Sequence, residues 1–209
     1  MAMIIDLSRP LKDGMPVYPG DEPTRLSRIR TPKKDGYTAY WLRTGLHAGT
    51  HLDAPLHMEK DGALMDSLAL SRFIAPGVVL HSCQSLPDRD IPIGSAVLLE
   101  TGMDALYGTP AYYAHHPAVS LELCRYLISR RIALLGVDAP SPDHPPFPVH
   151  HALLQAGIPI LENLTGLSAL GDQPFTLIAL PLPLHAEASP VRAVAVMGAP
   201  GGFPAPELP

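Results

Sequence analysis

The chain has 209 residues, 46% of them hydrophobic and 17% charged, with a formal net charge of −5. That apolar content suffices for a buried core and argues against disorder. The weak negative charge, with Lys and Arg scattered, excludes a nucleic-acid footprint and a polybasic membrane patch.

The length suggests one domain, residues 1–209. The start, MAMIIDLSRP, lacks a basic segment followed by a long apolar run, and no stretch holds about 18 uninterrupted apolar residues. The expectation is therefore a cytoplasmic protein with no leader and no spanning helix. Cys83 and Cys124 belong to no CxxC pattern, so both are expected to be reduced and neither to bind metal.

In chain order, residues 4–7 read as a short strand ended by Pro10. Residues 12–23, containing MPVYPGDEP, form a loop rich in Gly and Pro. Residues 24–30 alternate weakly, as an edge strand does. Residues 37–46 carry aromatic and β-favouring side chains and read as a strand running into HAGTHLDAPLH at 47–57. The apolar runs at 77–82 and 96–99 read as buried strands. Ser120 can N-cap a helix reaching Arg131, with Glu122 in its first turn. A buried strand at 132–137 leads to the proline-rich loop APSPDHPPFP at 139–148. A short helix at 149–156 stops at Gly157, and a brief strand at 158–161 ends at Glu162. Strands at 175–180 and 191–197 complete the β set, and the tail GAPGGFPAPELP is expected to be irregular and exposed. Many strands with few helices indicate a mixed α/β domain.

The ten histidines are clustered. In HAGTHLDAPLH, His47, His51, Asp53 and His57 all share one parity, while Ala48, Leu52, Ala54 and Leu56 take the other. An extended segment puts one parity on each face, one suited to chemistry and one to packing. Residues two apart are roughly 6–7 Å apart and residues four apart roughly 13 Å, so His51 and Asp53 can share an ion but His47 reaches it only if the chain bends. Gly49 is the easiest place to bend. Pro55 ends the ladder and gives His57 a place of its own. The expected ligands are His47, His51 and Asp53, with His57 nearby and unliganded. Imidazoles with carboxylates and no thiolate suit zinc, manganese or iron.

A second carboxylate is still needed, and HHALLQAGIPILENL at 150–164 supplies candidates. His150 opens the short helix, and Glu162 ends an apolar strand, where a lone carboxylate is costly unless paired or coordinated. Asp53 and Glu162 could bridge two ions about 3.5–4 Å apart. His81, His115, His116 and His185 are expected in solvated loops. Asp138 and Asp143 are expected to hold the proline loop through Asx-type hydrogen bonds. The absence of GxSxG argues against a serine hydrolase.

HAGTHLDAPLH matches HxGTHxDxPxH, the signature of the bacterial kynurenine formamidase and cyclase family of metal-dependent hydrolases. MPVYPGD, GVDAPSPD at 136–143 and FPVHHALLQAGIPILENL at 147–164 resemble the family's other landmarks in the same order. The resemblance implies a swivelling β/β/α fold, with a mixed or barrel-like β core and few helices, usually as a homodimer with pockets near the subunit interface. It implies two divalent metal ions per subunit, zinc or manganese. His47, His51 and Asp53 would hold one; Asp53, His150 and Glu162 would hold the other. His57 would carry the proton, and the choice of His150 over His151 comes from the resemblance alone. The implied activity is hydrolysis of an N-formyl arylamine, N-formyl-L-kynurenine above others. Tyr18 stands where such formamidases typically have Trp, offering a flat face to an aromatic substrate. VDAPSPD also departs from the usual VDTPSVD. The alternatives are another small amide or an isatin-like lactam as substrate, or a non-catalytic metal-binding module.

Overall fold

The computed structural model describes residues 3–198. Its strands are β1 (Met3–Asp6), β2 (Arg25–Arg30), β3 (Ala39–Arg43), β4 (His51–Asp53), β5 (Ile74–Leu80), β6 (Ala96–Leu99), β7 (Leu134–Val137), β8 (Ile160–Glu162), β9 (Phe175–Ile178), β10 (Ala188–Pro190) and β11 (Val194–Met197). Its α-helices are α1 (Pro32–Asp35), α2 (Pro110–Ala114), α3 (Leu121–Ser129) and α4 (Pro148–Gln155).

Nine strands form one curled, half-barrel sheet in the order β1-β11-β9-β5-β6-β7-β8-β4-β10. Its centre, β5 to β8, is parallel. The sequences AVLL and LLGV are buried along their whole length there, as a parallel strand covered on both faces requires. Antiparallel pairs extend both sides, ending at β1 and at β10. The mixed α/β class, the β-rich core and the small helix content agree with the swivelling β/β/α expectation.

The strand period divides the core in two. Leu98 and Leu134 face one apolar cluster with Leu7, Leu52, Phe73, Leu161 and Leu177. Their neighbours Val97, Leu99 and Leu135 face the other, against Tyr112 of α2, Leu123 and Leu127 of α3, and Leu153 and Leu154 of α4. Ser120 caps α3 as expected, accepting from Leu123 N at 3.1 Å. The helix stops at Ser129 rather than Arg131, because Arg131 takes a left-handed φ of 47°.

Several boundaries differ from the sequence reading. β5 begins at Ile74, and β3 spans only Ala39–Arg43. β2 and β3 pair with each other in a separate two-stranded ribbon, with α1 between them. β10 was not expected: its three residues end in Pro190, which an edge strand tolerates. The expected irregular tail lies, from residue 199 onward, outside the described residues.

Candidate metal centre

The motif strand is shorter than its alternation suggests. Only His51–Asp53 is extended, paired with β8 on one side and β10 on the other. His51 and Asp53 therefore share a face, and Leu52 is fully buried in the core opposite. The chain does bend at Gly49, whose φ is +66°, and a Cβ there would meet Met15 Cε at 3.0 Å. The bend brings His47 Nδ1 to 2.9 Å from Asp53 Oδ1. Pro55–His57 is a 3-10 turn that brings the His57 ring back over His47, centroid to centroid 4.3 Å.

The β4–β8 pairing puts His51 opposite Glu162. His51 Nε2 lies 3.5 Å from Asp53 Oδ1 and 3.4 Å from Glu162 Oε2. Its other nitrogen, Nδ1, bonds to Gly49 O at 2.8 Å, which aims Nε2 at the carboxylates. His150, from the first turn of α4, places Nε2 3.3 Å from Glu162 Oε1 and 3.9 Å from Asp53 Oδ2. His151 points elsewhere, to Glu59 at the surface.

Asp143 explains how His150 is held. Its Oδ1 lies 2.6 Å from His150 Nδ1, and its Oδ2 accepts from the backbone N–H groups of Val149 and His150 at the start of α4. The expectation that Asp143 only braces the proline loop is thus corrected, because it also orients a site histidine. Asp138 does neither: it accepts from Thr101 and Gly102. His116 is not solvated either, being 2% exposed with its ring nitrogens facing Tyr113 O and Asp143 O.

His51 Nε2, both Asp53 oxygens and Glu162 Oε1 are buried without a well-formed hydrogen bond among the described residues; they meet only one another and the rings of His47 and His150, at 2.9–3.9 Å. Each such group costs about 1–3 kcal/mol, more when charged. Two carboxylates in this setting fit a resident divalent cation, and the nitrogen and oxygen donors suit zinc or manganese. Two donor groups have ligand atoms within 4.8 Å of one another: His51, Asp53 and Glu162, and His47, Asp53 and His57. Asp53 belongs to both, and His150 flanks the first. His57 lies within reach of an ion beside His47, so geometry alone permits it either to bind or to stand apart.

The charges sort these histidines. Burial opposes charge on His47 and His150, but Asp53 and then Glu162 raise His47 to about 9, and Asp143, then Glu162 and Asp53, raise His150 to about 10. His51 is raised by the same carboxylates against its burial. His57 goes the other way: burial, then repulsion from His47 and His150, holds it below its usual value despite Asp53 and Glu162. Despite burial, Asp53 and Glu162 are held below the usual carboxylate range by the surrounding histidines.

The cluster opens into a cavity of about 260 Å³. Tyr18 lines it, edge-on to Tyr113 with centroids 5.9 Å apart, and Phe147, Met58 and Asn163 complete its wall. Sequence reasoning missed Tyr113, Phe147 and Asn163. Phe147 and Asn163 both hold left-handed φ values, 59° and 57°, that no residue pattern announces.

The fold and cluster together define an α/β protein with a candidate metal site at the foot of an aromatic pocket. The chain belongs to the family described as "Putative cyclase", whose model matches residues 5–144. It is 33% identical over 201 residues to the kynurenine formamidase of Geobacillus thermodenitrificans, covering 90% of this chain and 95% of that one. Isatin hydrolase A from Labrenzia aggregata, bound to benzyl benzoate, superposes with a TM-score of 0.86 at 26% identity, over 95% of this chain and 94% of the other. A predicted metal-dependent hydrolase from Bacillus stearothermophilus superposes at 0.77 with 26% identity, over 94% of this chain and 98% of the other.

Proposed function

We propose that the protein hydrolyses an N-formyl arylamine, with N-formyl-L-kynurenine as substrate and L-kynurenine and formate as products. The protein is a metal-dependent hydrolase of the cyclase family acting on amide bonds. One observation carries the reading: the buried ligand atoms of His51, Asp53 and Glu162 converge within 4.8 Å of one another in a cluster that opens into an aromatic-lined cavity.

In this reading His47, His51 and Asp53 hold one zinc or manganese ion, and Asp53, His150 and Glu162 hold the second. When bound, the metal supplies Lewis-acid activation of water and of the amide carbonyl. His57 is the proton carrier. Its lowered pKa leaves it neutral near pH 7, able to take the water proton and return it to the departing aniline nitrogen. The C–N bond breaks as the water oxygen bonds the formyl carbon; one water proton ends on the arylamine nitrogen and the other leaves to solvent as formic acid ionises to formate. Tyr18, Tyr113 and Phe147 hold the aryl ring and limit water around it.

The second reading keeps the centre and changes the substrate to a cyclic amide such as isatin. The isatin hydrolase neighbour and Tyr18 in place of Trp favour it. Metal-loaded protein assayed against N-formyl-L-kynurenine and isatin separates the two. Faster turnover of the formamide supports the first reading, and turnover of the lactam alone supports the second. His57→Ala should lower turnover while leaving metal content unchanged; loss of metal would remove His57 from the proton-carrying role. The protein is further proposed to act as a homodimer. The ribbon supports this, since it leaves Ile29, Tyr40, Trp41 and Leu42 exposed.

A further inference from the structure

Asn163 follows Glu162 directly, yet both residues line the same cavity. In an extended chain, consecutive side chains point to opposite faces. The alternation fails here because Asn163 takes a φ of 57°. Its backbone is bonded on both sides in that posture: N–H to Ala139 O at 3.0 Å, and C=O from Thr50 Oγ1 at 2.8 Å. Asn tolerates that conformation better than most residues with a side chain, so the posture costs little and fixes where the amide points.

The amide has a defined orientation. The Tyr112 hydroxyl lies 2.8 Å from Asn163 Oδ1, and Tyr112 is fully buried with no other hydroxyl partner among the described residues. A buried phenol must place its proton on an acceptor, and Oδ1 is the only atom of the amide that can accept. Burial also raises the Tyr112 pKa, so it remains a donor. With Oδ1 engaged, the Nδ2 amino group is left without a partner among the described residues, in a residue that lines the cavity beside Glu162.

We infer that Asn163 Nδ2 donates a hydrogen bond to the carbonyl oxygen of the bound amide, and that Tyr112 is the positioning residue that aims it. A fixed neutral donor beside the metal cluster stabilises the negative charge that grows on that oxygen as water adds. Asn163 thereby joins the catalytic groups, and Tyr112 acts only through it. This rests on the amide-hydrolase reading.

A double-mutant cycle tests it. Asn163→Gly relieves the left-handed conformation, Tyr112→Phe removes the phenol proton, and the double variant leaves neither partner orphaned. Each zinc-loaded protein is assayed for kcat, KM and bound zinc with N-formyl-L-kynurenine and isatin. The inference expects Asn163→Gly to lower kcat at least about tenfold, with KM and zinc content within about twofold, because the lost bond forms fully only in the transition state. Tyr112→Phe should lower kcat in the parent but change it less than about twofold in the Asn163→Gly background. An unchanged kcat in Asn163→Gly, a loss of zinc from it, or an equal effect of Tyr112→Phe in both backgrounds would overturn the inference alone. A parent protein inactive on both substrates would overturn the hydrolase reading, and the inference with it.

Discussion

Removing the metal should give the protein a stability that falls as pH rises above neutrality. Without a cation, protons on His47 and His150 are what balance Asp53 and Glu162, and these histidines are raised from 6.5 to about 9 and about 10. The folded state then binds protons more tightly than the unfolded chain across that window. Its advantage is complete below pH 6.5 and is lost as pH climbs through 9 to 10. Together the two groups represent on the order of several kcal/mol. At about 2–4 °C per kcal/mol for a chain of this size, Tm of the metal-free protein should drop by roughly 15–25 °C between pH 6.5 and 10. His51, raised by the same carboxylates, adds to the fall; the lowered pKa values of His57 and His116 raise stability only as pH approaches 6.5, and the lowered Asp53 and Glu162 matter in acid. Saturating zinc replaces the protons and should abolish the fall. Calorimetry of chelated and zinc-loaded protein across this range makes the comparison. A flat Tm in the chelated protein, or the same slope in both, would refute the reasoning.

Asp143→Asn should weaken zinc binding by about tenfold to a hundredfold in a competition titration, because the carboxylate that orients His150 is gone; unchanged affinity would show that α4 alone positions the ring. Tyr18→Ala should lower kcat/KM on an aryl substrate by about tenfold through lost stacking, and Tyr18→Trp should restore it. Equal values across the three proteins would place the ring elsewhere in the cavity. Light scattering should give twice the chain mass, and Trp41→Asp, which puts a charge on the exposed ribbon, should shift the protein toward single chains; a parent protein of single-chain mass would refute the dimer.

The chemistry-bearing spacing was readable because it is local. The shared face of His51 and Asp53 follows from strand parity, and the bend at Gly49 follows from the reach an ion demands. α3 was readable for the same reason, since Ser120 caps it and Glu122 sits in its first turn. What sequence alone left out depends on distant partners. β10 is three residues long and exists because β4 needs a neighbour on its outer side. His116 looked like a loop histidine, and is buried because Tyr113 and Asp143 supply carbonyls from separate segments. Asp143 looked like a turn residue, and its role required knowing that α4 starts over it. Asn163 was invisible for the same reason, since its direction comes from a left-handed φ and a tyrosine 51 positions away.

The central claim is that Asp53 and Glu162 join the histidines into a two-ion centre, and bound metal per chain tests it most directly. After dialysis against zinc and removal of free ion, elemental analysis should find two zinc ions per chain in the parent protein. Asp53→Asn, which alters the ligand common to both ions, should retain few or none. A parent protein holding one ion or none, or an Asp53→Asn variant still holding two, would contradict the account.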